Sequence, residues 1–152
     1  MSGIAVRIAT SEDEGALRTL RSRWTEEWGL GTSDDDPDFA ERFSSWLAHE
    51  QARTFWVAMD AERAIGMVNL LVVRRMPRPG QADRAWGYLA NLFVIPERRR
   101  ERVASRLVAA VFAQADADGL VHVLLHPSED SVPFWRNQGF RGAGDFLVHE
   151  LA

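Results

Sequence analysis

The segment richest in chemistry is Val94-Ile95-Pro96-Glu97-Arg98-Arg99-Arg100-Glu101-Arg102-Val103-Ala104. Four arginines crowd the amino end of the most regular helical pattern in the chain. A helix amino end carries partial positive charge and unpaired N–H groups, so each cation there costs about a few tenths of a kcal/mol. A phosphate or pyrophosphate among them reverses the sign of that cost, because helix amino ends and guanidinium forks both favour phosphate oxygens. A solvated basic face with side chains turned outward is the plainer alternative, and spacing alone does not choose between the two.

Other chemistries find less support. His49, His122, His126 and His149 have no metal-ligand spacing. His122 and His126 are four apart, but they fall on a strand and its exit, where that spacing does not converge on one ion. No metal is expected. Neither Gly-x-Gly-x-x-Gly nor a P-loop is present, which disfavours a nucleotide site of either kind.

The arginine segment must be positioned by a strand before it and a helix after it. Trp86–Val94 is apolar on both faces, as a central strand requires, and Pro96 closes it. From about Arg102 to Asp118, Ala104, Leu107, Val108, Val111 and Ala115 share one helical face, with helical φ expected at Arg102 and Gly119 ending the helix. Val121–Leu125 reads as a short buried strand, so residues 86–125 form a parallel βαβ unit. Ser131–Gln138 reads as a short helix stopped by Gly139, and 140–150 as a last strand or hairpin.

Upstream, Ile4–Ile8 alternates like a strand. Thr10-x-x-Asp13 and Ser11-x-x-Glu14 are overlapping capping boxes for a helix that buries Leu17, Leu20 and Trp24. After a loop at 29–37, Asp36 is expected to cap a second helix with Pro37 at its first position. Phe39, Phe43, Trp46 and Leu47 form that helix's apolar stripe. Thr54–Met59 and Ala64–Val73 pair as a hairpin across residues 60–63. The fold class is α/β: one mixed, splayed central sheet with helices on both faces, in a single domain spanning 1–152.

The totals agree. The chain has 152 residues, 46% hydrophobic, with a net charge of −4, which suits one soluble domain and offers no general positive field for nucleic acid. Cysteine is absent, which excludes disulfides, thiolate metal sites and cysteine nucleophiles. All 18 basic residues are arginine, so there is no Schiff-base lysine. No basic leader and no run of about 18 apolar residues occurs; a cytoplasmic protein without a membrane partner is expected.

Residues 88–140 resemble the GNAT superfamily of N-acetyltransferases. The family's strand, Val-x-Pro and Gln/Arg-x-x-Gly-x-Gly/Ala turn appear as Leu92-Phe93-Val94-Ile95-Pro96 and Arg99-Arg100-Glu101-Arg102-Val103-Ala104. Its aromatic-x-x-x-Gly-Phe signature appears as Phe134-Trp135-Arg136-Asn137-Gln138-Gly139-Phe140. The preceding strand, two helices and hairpin follow the family order, so the likeness covers nearly the whole chain. It implies a GNAT-like sheet and acetyl transfer from acetyl-CoA to a primary amine of a small molecule or protein. The backbone of Leu92, Phe93 and Val94 would pair with the pantetheine arm as an added strand does. Amides of Arg99, Arg100, Glu101, Arg102, Val103, Ala104 and Ser105 would wrap the pyrophosphate. Phe134 and Trp135 would lie along the cofactor, and Ser128 stands where the family often has an Asn. Similar proteins are commonly dimers, so a homodimer is an expectation from the resemblance.

The chain departs from the family at three positions. Arg102 replaces the first motif glycine. Trp135 replaces the tyrosine that often protonates the leaving thiolate. Tyr88, the sole tyrosine, stands where an acidic residue sometimes serves as base. Tyr88 is thus a candidate proton donor, with Asn91 the nearest other polar group on its strand; each is equally readable as a strand residue. Asp34, Asp35, Asp36 and Asp38 border the segment that often lines the acceptor pocket, as do Trp24 and Trp28; a capped solvated loop and core packing explain them as well. The alternative reading is a degenerate domain that binds CoA or a protein partner without turnover.

Overall fold

The computed structural model describes residues 3–151. Strand β1 (Ile4–Ile8) leads through a 3-10 turn into α1 (Glu14–Glu27), and α2 (Phe39–His49) follows. Then come β2 (Arg53–Asp60), β3 (Arg63–Arg74), β4 (Ala85–Val94), α3 (Val103–Ala117), β5 (Val123–Leu124) and α4 (Val132–Asn137). The sheet order is β1-β2-β3-β4-β5. The first four strands are antiparallel neighbours, while β5 runs parallel to β4. This is the expected mixed sheet.

The capping box before α1 forms as its spacing requires. Thr10 N–H donates to Asp13 Oδ2 at 2.7 Å, and Arg7 grips the same carboxylate with two bonds of 2.7 and 2.9 Å. Asp13 is buried, at 7% exposure. The Arg7 fork, helped by the Thr10 amide and opposed by burial, lowers its pKa to about 2. A depressed carboxylate pKa stabilises the fold above its unfolded value near ~3.9, and that contribution disappears as pH falls towards 2. Asp13→Asn should therefore cost on the order of 1–2 kcal/mol at pH 7, and roughly half of that at pH 3. Urea unfolding of both proteins at the two pH values checks this.

Leu107, Val108 and Val111 of α3 are fully buried against the sheet. Gly66 on β3 makes that seating possible: a Cβ there would meet Leu107 Cδ1 and the Phe93 carbonyl oxygen, each at 3.1 Å. The opposite face carries α1, whose Trp24 stacks on Phe93 at 5.4 Å. Helices thus cover both faces. Gly66 and the adjacent Met67 point to opposite sides by strand alternation, so α3 and α1 pack on opposite faces of β3.

Three sequence expectations are corrected. Residues 141–151 form no strand; Leu147 and Val148 are 96% and 77% exposed, so the apolar pattern there has no sheet partner. The second helix begins at Phe39 after Asp38, and Pro37 lies outside it. Asp36 is extended and accepts the Asp38 N–H at 3.1 Å, closing a turn ahead of the helix instead of capping it. Arg102 is not helical either, with consequences taken up below.

Candidate active site

The centre of the site is an irregularity in β4. Met67 faces Phe93 and Asn69 faces Ala90, so Asn91 and Leu92 together oppose Val68. That is a β-bulge. Asn91 takes φ 57°, a left-handed conformation that Asn tolerates better than most residues. Its side chain is tied down: Asn69 Nδ2 donates to Asn91 Oδ1 at 2.9 Å. Asn69, 1% exposed, accepts from Arg53 Nη1 at 2.6 Å, and Arg53 Nε donates to Glu50 at 2.8 Å. A half-buried polar relay from α2's end, centred on buried Asn69, thus fixes the bulge.

On its other side β4 is paired only at Gly87 and Tyr88, with Val123 and Leu124. From Leu89 onward its outer edge has no strand partner among the described residues. Leu92 and Phe93 lie on this edge, as does Val94, whose carbonyl accepts from Arg99 Nε at 3.0 Å.

The arginine turn follows at once, and its four cations divide into two pairs. Arg98 bonds Asp60 and Glu101 at 2.6 and 2.7 Å, which raises its pKa through the Glu101 and Asp60 hydrogen bonds. Arg99 forks onto Glu27 at 2.7 and 2.8 Å, anchoring the turn to the end of α1 and lowering the Glu27 pKa. Glu97 joins Arg23 and Arg63, chiefly Arg23, whose hydrogen bond holds its pKa at about 2. Arg100 and Arg102 form no salt bridge among the described residues. Arg99 N–H donates to Pro96 O, but the next six amides, residues 100–105, donate to no protein oxygen among the described residues. Those donors and two uncommitted guanidinium groups make a concentrated anion receptor.

Arg100 and Arg102 both lie in the left-handed region, at φ 69° and 63°. With Asn91 they are three of the four such non-glycine residues described, and strain of this kind gathers where a backbone must face a ligand. The helical φ expected for Arg102 is therefore corrected: α3 starts one residue later, and position 102 has the geometry glycine favours. Arg102→Gly should raise stability by about 1 kcal/mol, or about 2–4 °C in Tm. Thermal unfolding of the two proteins tests it.

The second motif braces the first. Gln138 Nε2 donates to Ser105 Oγ at 3.1 Å, tying the end of α4 to the start of α3. Phe134 is half-buried against the core, and Trp135 is 8% exposed, with ring contacts to Phe134 and Phe140. Trp135 therefore acts mainly as a core residue. Ser128 is exposed and bonds Ser131. Tyr88, His126 and Trp135 line a cavity of about 530 Å³ between β4, β5 and the C-terminal segment. Asn91 lies elsewhere, so the two candidate catalytic residues do not line the same cavity.

Asn91 lines a cavity of about 330 Å³ between the sheet, α1 and α2, together with Leu17, Arg21, Phe39, Arg42, Phe43, Trp46, Phe55, Met67 and Asn69. Phe39, Phe43 and Trp46 of the α2 apolar stripe face this space, and no residue of α2 is fully buried. Trp24 and Trp28 do not line it; Trp24 packs on Phe93 and Trp28. The aspartate run stays outside as well: Asp35 accepts the Thr32 N–H and Asp36 pairs with Arg42. Sequence reasoning missed Arg21, Arg53 and Asn69. The available signals were an Arg four residues after Leu17 on the buried face of α1 and a lone Asn inside the apolar run Met67–Val73. Among the described residues no cluster of His, Asp or Glu could hold a metal ion, and no helix is long and apolar enough to cross a membrane.

Comparison with known proteins places this geometry. The sequence model of the acetyltransferase (GNAT) family matches residues 16–140. Human N-acetyltransferase 8 is 29% identical over 124 residues, 80% of this chain; the chain spans about half, 51%, of that relative's length. A crystal structure described as a predicted acetyltransferase with acetyl-CoA, from Clostridium acetobutylicum, superposes with TM-score 0.75 at 20% identity over 97% of this chain and 96% of that one. Glucosamine-6-phosphate N-acetyltransferase from Arabidopsis thaliana superposes with TM-score 0.70 at 13% identity, over 98% and 99% of the two chains.

Proposed function

The chain belongs to the acetyltransferase (GNAT) family, and we propose that it transfers an acetyl group from acetyl-CoA to a primary amine. The observation that carries this reading is the run of six amides at 100–105 without protein acceptors, next to the unpaired edge of β4. A pyrophosphate fits the first feature and an extended amide-bearing arm fits the second. Acetyl-CoA supplies an acyl group already activated as a thioester.

The residues divide the work as follows. Amides from Arg100 through Glu101, Arg102, Val103, Ala104 and Ser105, with the Arg100 and Arg102 side chains, hold the pyrophosphate. Arg99 braces the turn through Glu27 and Val94 and leaves phosphate contact to its neighbours. The edge at Leu92 and Phe93 pairs with the pantetheine arm, and Ser128 and Phe134 border it. Asn91 orients the incoming amine at the bulge. As the amine nitrogen bonds to the thioester carbonyl carbon the C–S bond breaks; Tyr88, which lines the separate cavity, protonates the thiolate through water, and the proton shed by the nitrogen restores the phenol. Holding amine and thioester together supplies much of the rate, because a fixed near-attack geometry removes the entropic cost of encounter.

Calorimetric titration with acetyl-CoA, CoA and ATP tests the cofactor half. Micromolar binding of both CoA species with much weaker binding of ATP supports the reading. Equal binding of all three would replace it with a general phosphate site.

A further inference from the structure

We infer that the acceptor is an amine that also carries a carboxylate and an aromatic or aliphatic body, a free apolar amino acid being the simplest example. This rests on the acetyl-transfer reading and names its substrate class. The cavity beside Asn91 has aromatic walls, Phe39, Phe43, Trp46 and Phe55, and a polar floor of Asn69 and Asn91. Among the described residues no carboxylate lines it. A polycationic acceptor would therefore find nothing there to offset its charge, whereas two arginines face the space.

Those arginines differ. Arg42 is neutralised by Asp36. Arg21 is half-buried, and among the described residues it has neither a salt bridge nor a hydrogen-bond acceptor. Its guanidinium lies over the Trp24 ring, 4.9 Å from its centre, a cation–π contact that uses none of its N–H donors as hydrogen bonds. Burial pulls its pKa down from the ordinary value, as desolvation without a counter-ion must. A partly desolvated fork of this kind is matched by a carboxylate accepting two parallel bonds. An acceptor seated with its carboxylate on Arg21 and its apolar group among the rings directs its amine to the Asn69–Asn91 floor, where β4 opens. The cavity volume suits a small ligand.

The test uses phenylalanine and phenethylamine, which differ only in the carboxylate. In turnover with acetyl-CoA, wild type should favour phenylalanine at least tenfold in kcat/KM. Arg21→Met should bring the ratio to within about threefold of unity, and Arg21→Lys should retain an intermediate preference, since it keeps the charge without the fork. A binding arm needs no chemistry: calorimetry of N-acetylphenylalanine and N-acetylphenethylamine in the presence of CoA, on the same three proteins, with thermal unfolding to verify each fold. If the carboxylated ligand is preferred through Arg21 but no amine is acetylated, the cavity's ligand class is upheld while the transfer reading, and with it the ligand's role as acceptor, fails. If amines are acetylated with no preference for the carboxylate, or with one that survives Arg21→Met, the inference is overturned and the transfer reading stands. Absence of binding by either ligand, together with absence of a turnover preference, also overturns it.

Discussion

Ala104→Glu is expected to weaken acetyl-CoA binding at least about 100-fold while leaving the protein folded. Ala104 is the second residue of α3, partly exposed, and the fifth of the six unpaired amides. A carboxylate in the first turn of a helix is favoured by the helix dipole, so the fold gains or holds its stability. The same potential is what draws phosphate oxygens to this turn, and a fixed negative charge there both repels the pyrophosphate and occupies its place. A 100-fold loss corresponds to about 2.7 kcal/mol, a reasonable sum of repulsion and lost hydrogen bonds at a partly desolvated site. Ala104→Gln adds the same bulk without charge and should lose only about tenfold. Calorimetry of the three proteins, alongside thermal unfolding, separates charge from size. Wild-type affinity in Ala104→Glu would mean that residues 100–105 do not bind the cofactor.

The second large effect is expected at the bulge. Asn91→Val should destabilise the protein by about 2–4 kcal/mol, because a β-branched residue at φ 57° is a severe outlier and buried Asn69 loses its acceptor. Asn91→Gly keeps the backbone conformation without strain and loses only the side-chain bond, so about 1–2 kcal/mol is expected. Cofactor affinity should follow the backbone: retained within about threefold in Asn91→Gly, and reduced more than tenfold in Asn91→Val as β4 straightens. The margins are about 0.7 and 1.4 kcal/mol respectively. Urea unfolding and acetyl-CoA titration of both variants provide the readout. Similar stability and affinity in the two variants would show that the bulge makes no conformational demand.

The parts of this molecule legible in its sequence are those encoded locally. The capping box at Thr10 and Asp13, the periodic face of α3 and the Pro96 stop each depend on residues a few positions apart, and each formed where expected, save that Val103 and not Ala104 is the buried residue of α3's first turn. Backbone dihedrals are not encoded so directly. Arg102 fits a helical pattern by residue type, yet it sits in the left-handed region, in a turn whose Arg99 is tied to Glu27 at the end of α1. The C-terminal residues carry an apolar pattern suited to a strand, but a strand needs a partner, and β5 offers a ladder of only two residues to β4. The cavity beside Asn91 was least legible, because Arg21, Phe43 and Asn69 come from three elements and their convergence is a property of the fold. The α2 stripe had the periodicity of a core face; that it walls an open cavity follows only from what stands opposite.

The most direct test of acetyl transfer is turnover with acetyl-CoA labelled in the acetyl group, across a panel of amines that includes phenylalanine, with products identified by mass spectrometry and free CoA measured in parallel. The account predicts label on the amine nitrogen, one free CoA for each acetylated amine, and loss of both in Ala104→Glu. Bound acetyl-CoA that releases CoA only at the rate of hydrolysis, with no labelled amine across the panel, would contradict it.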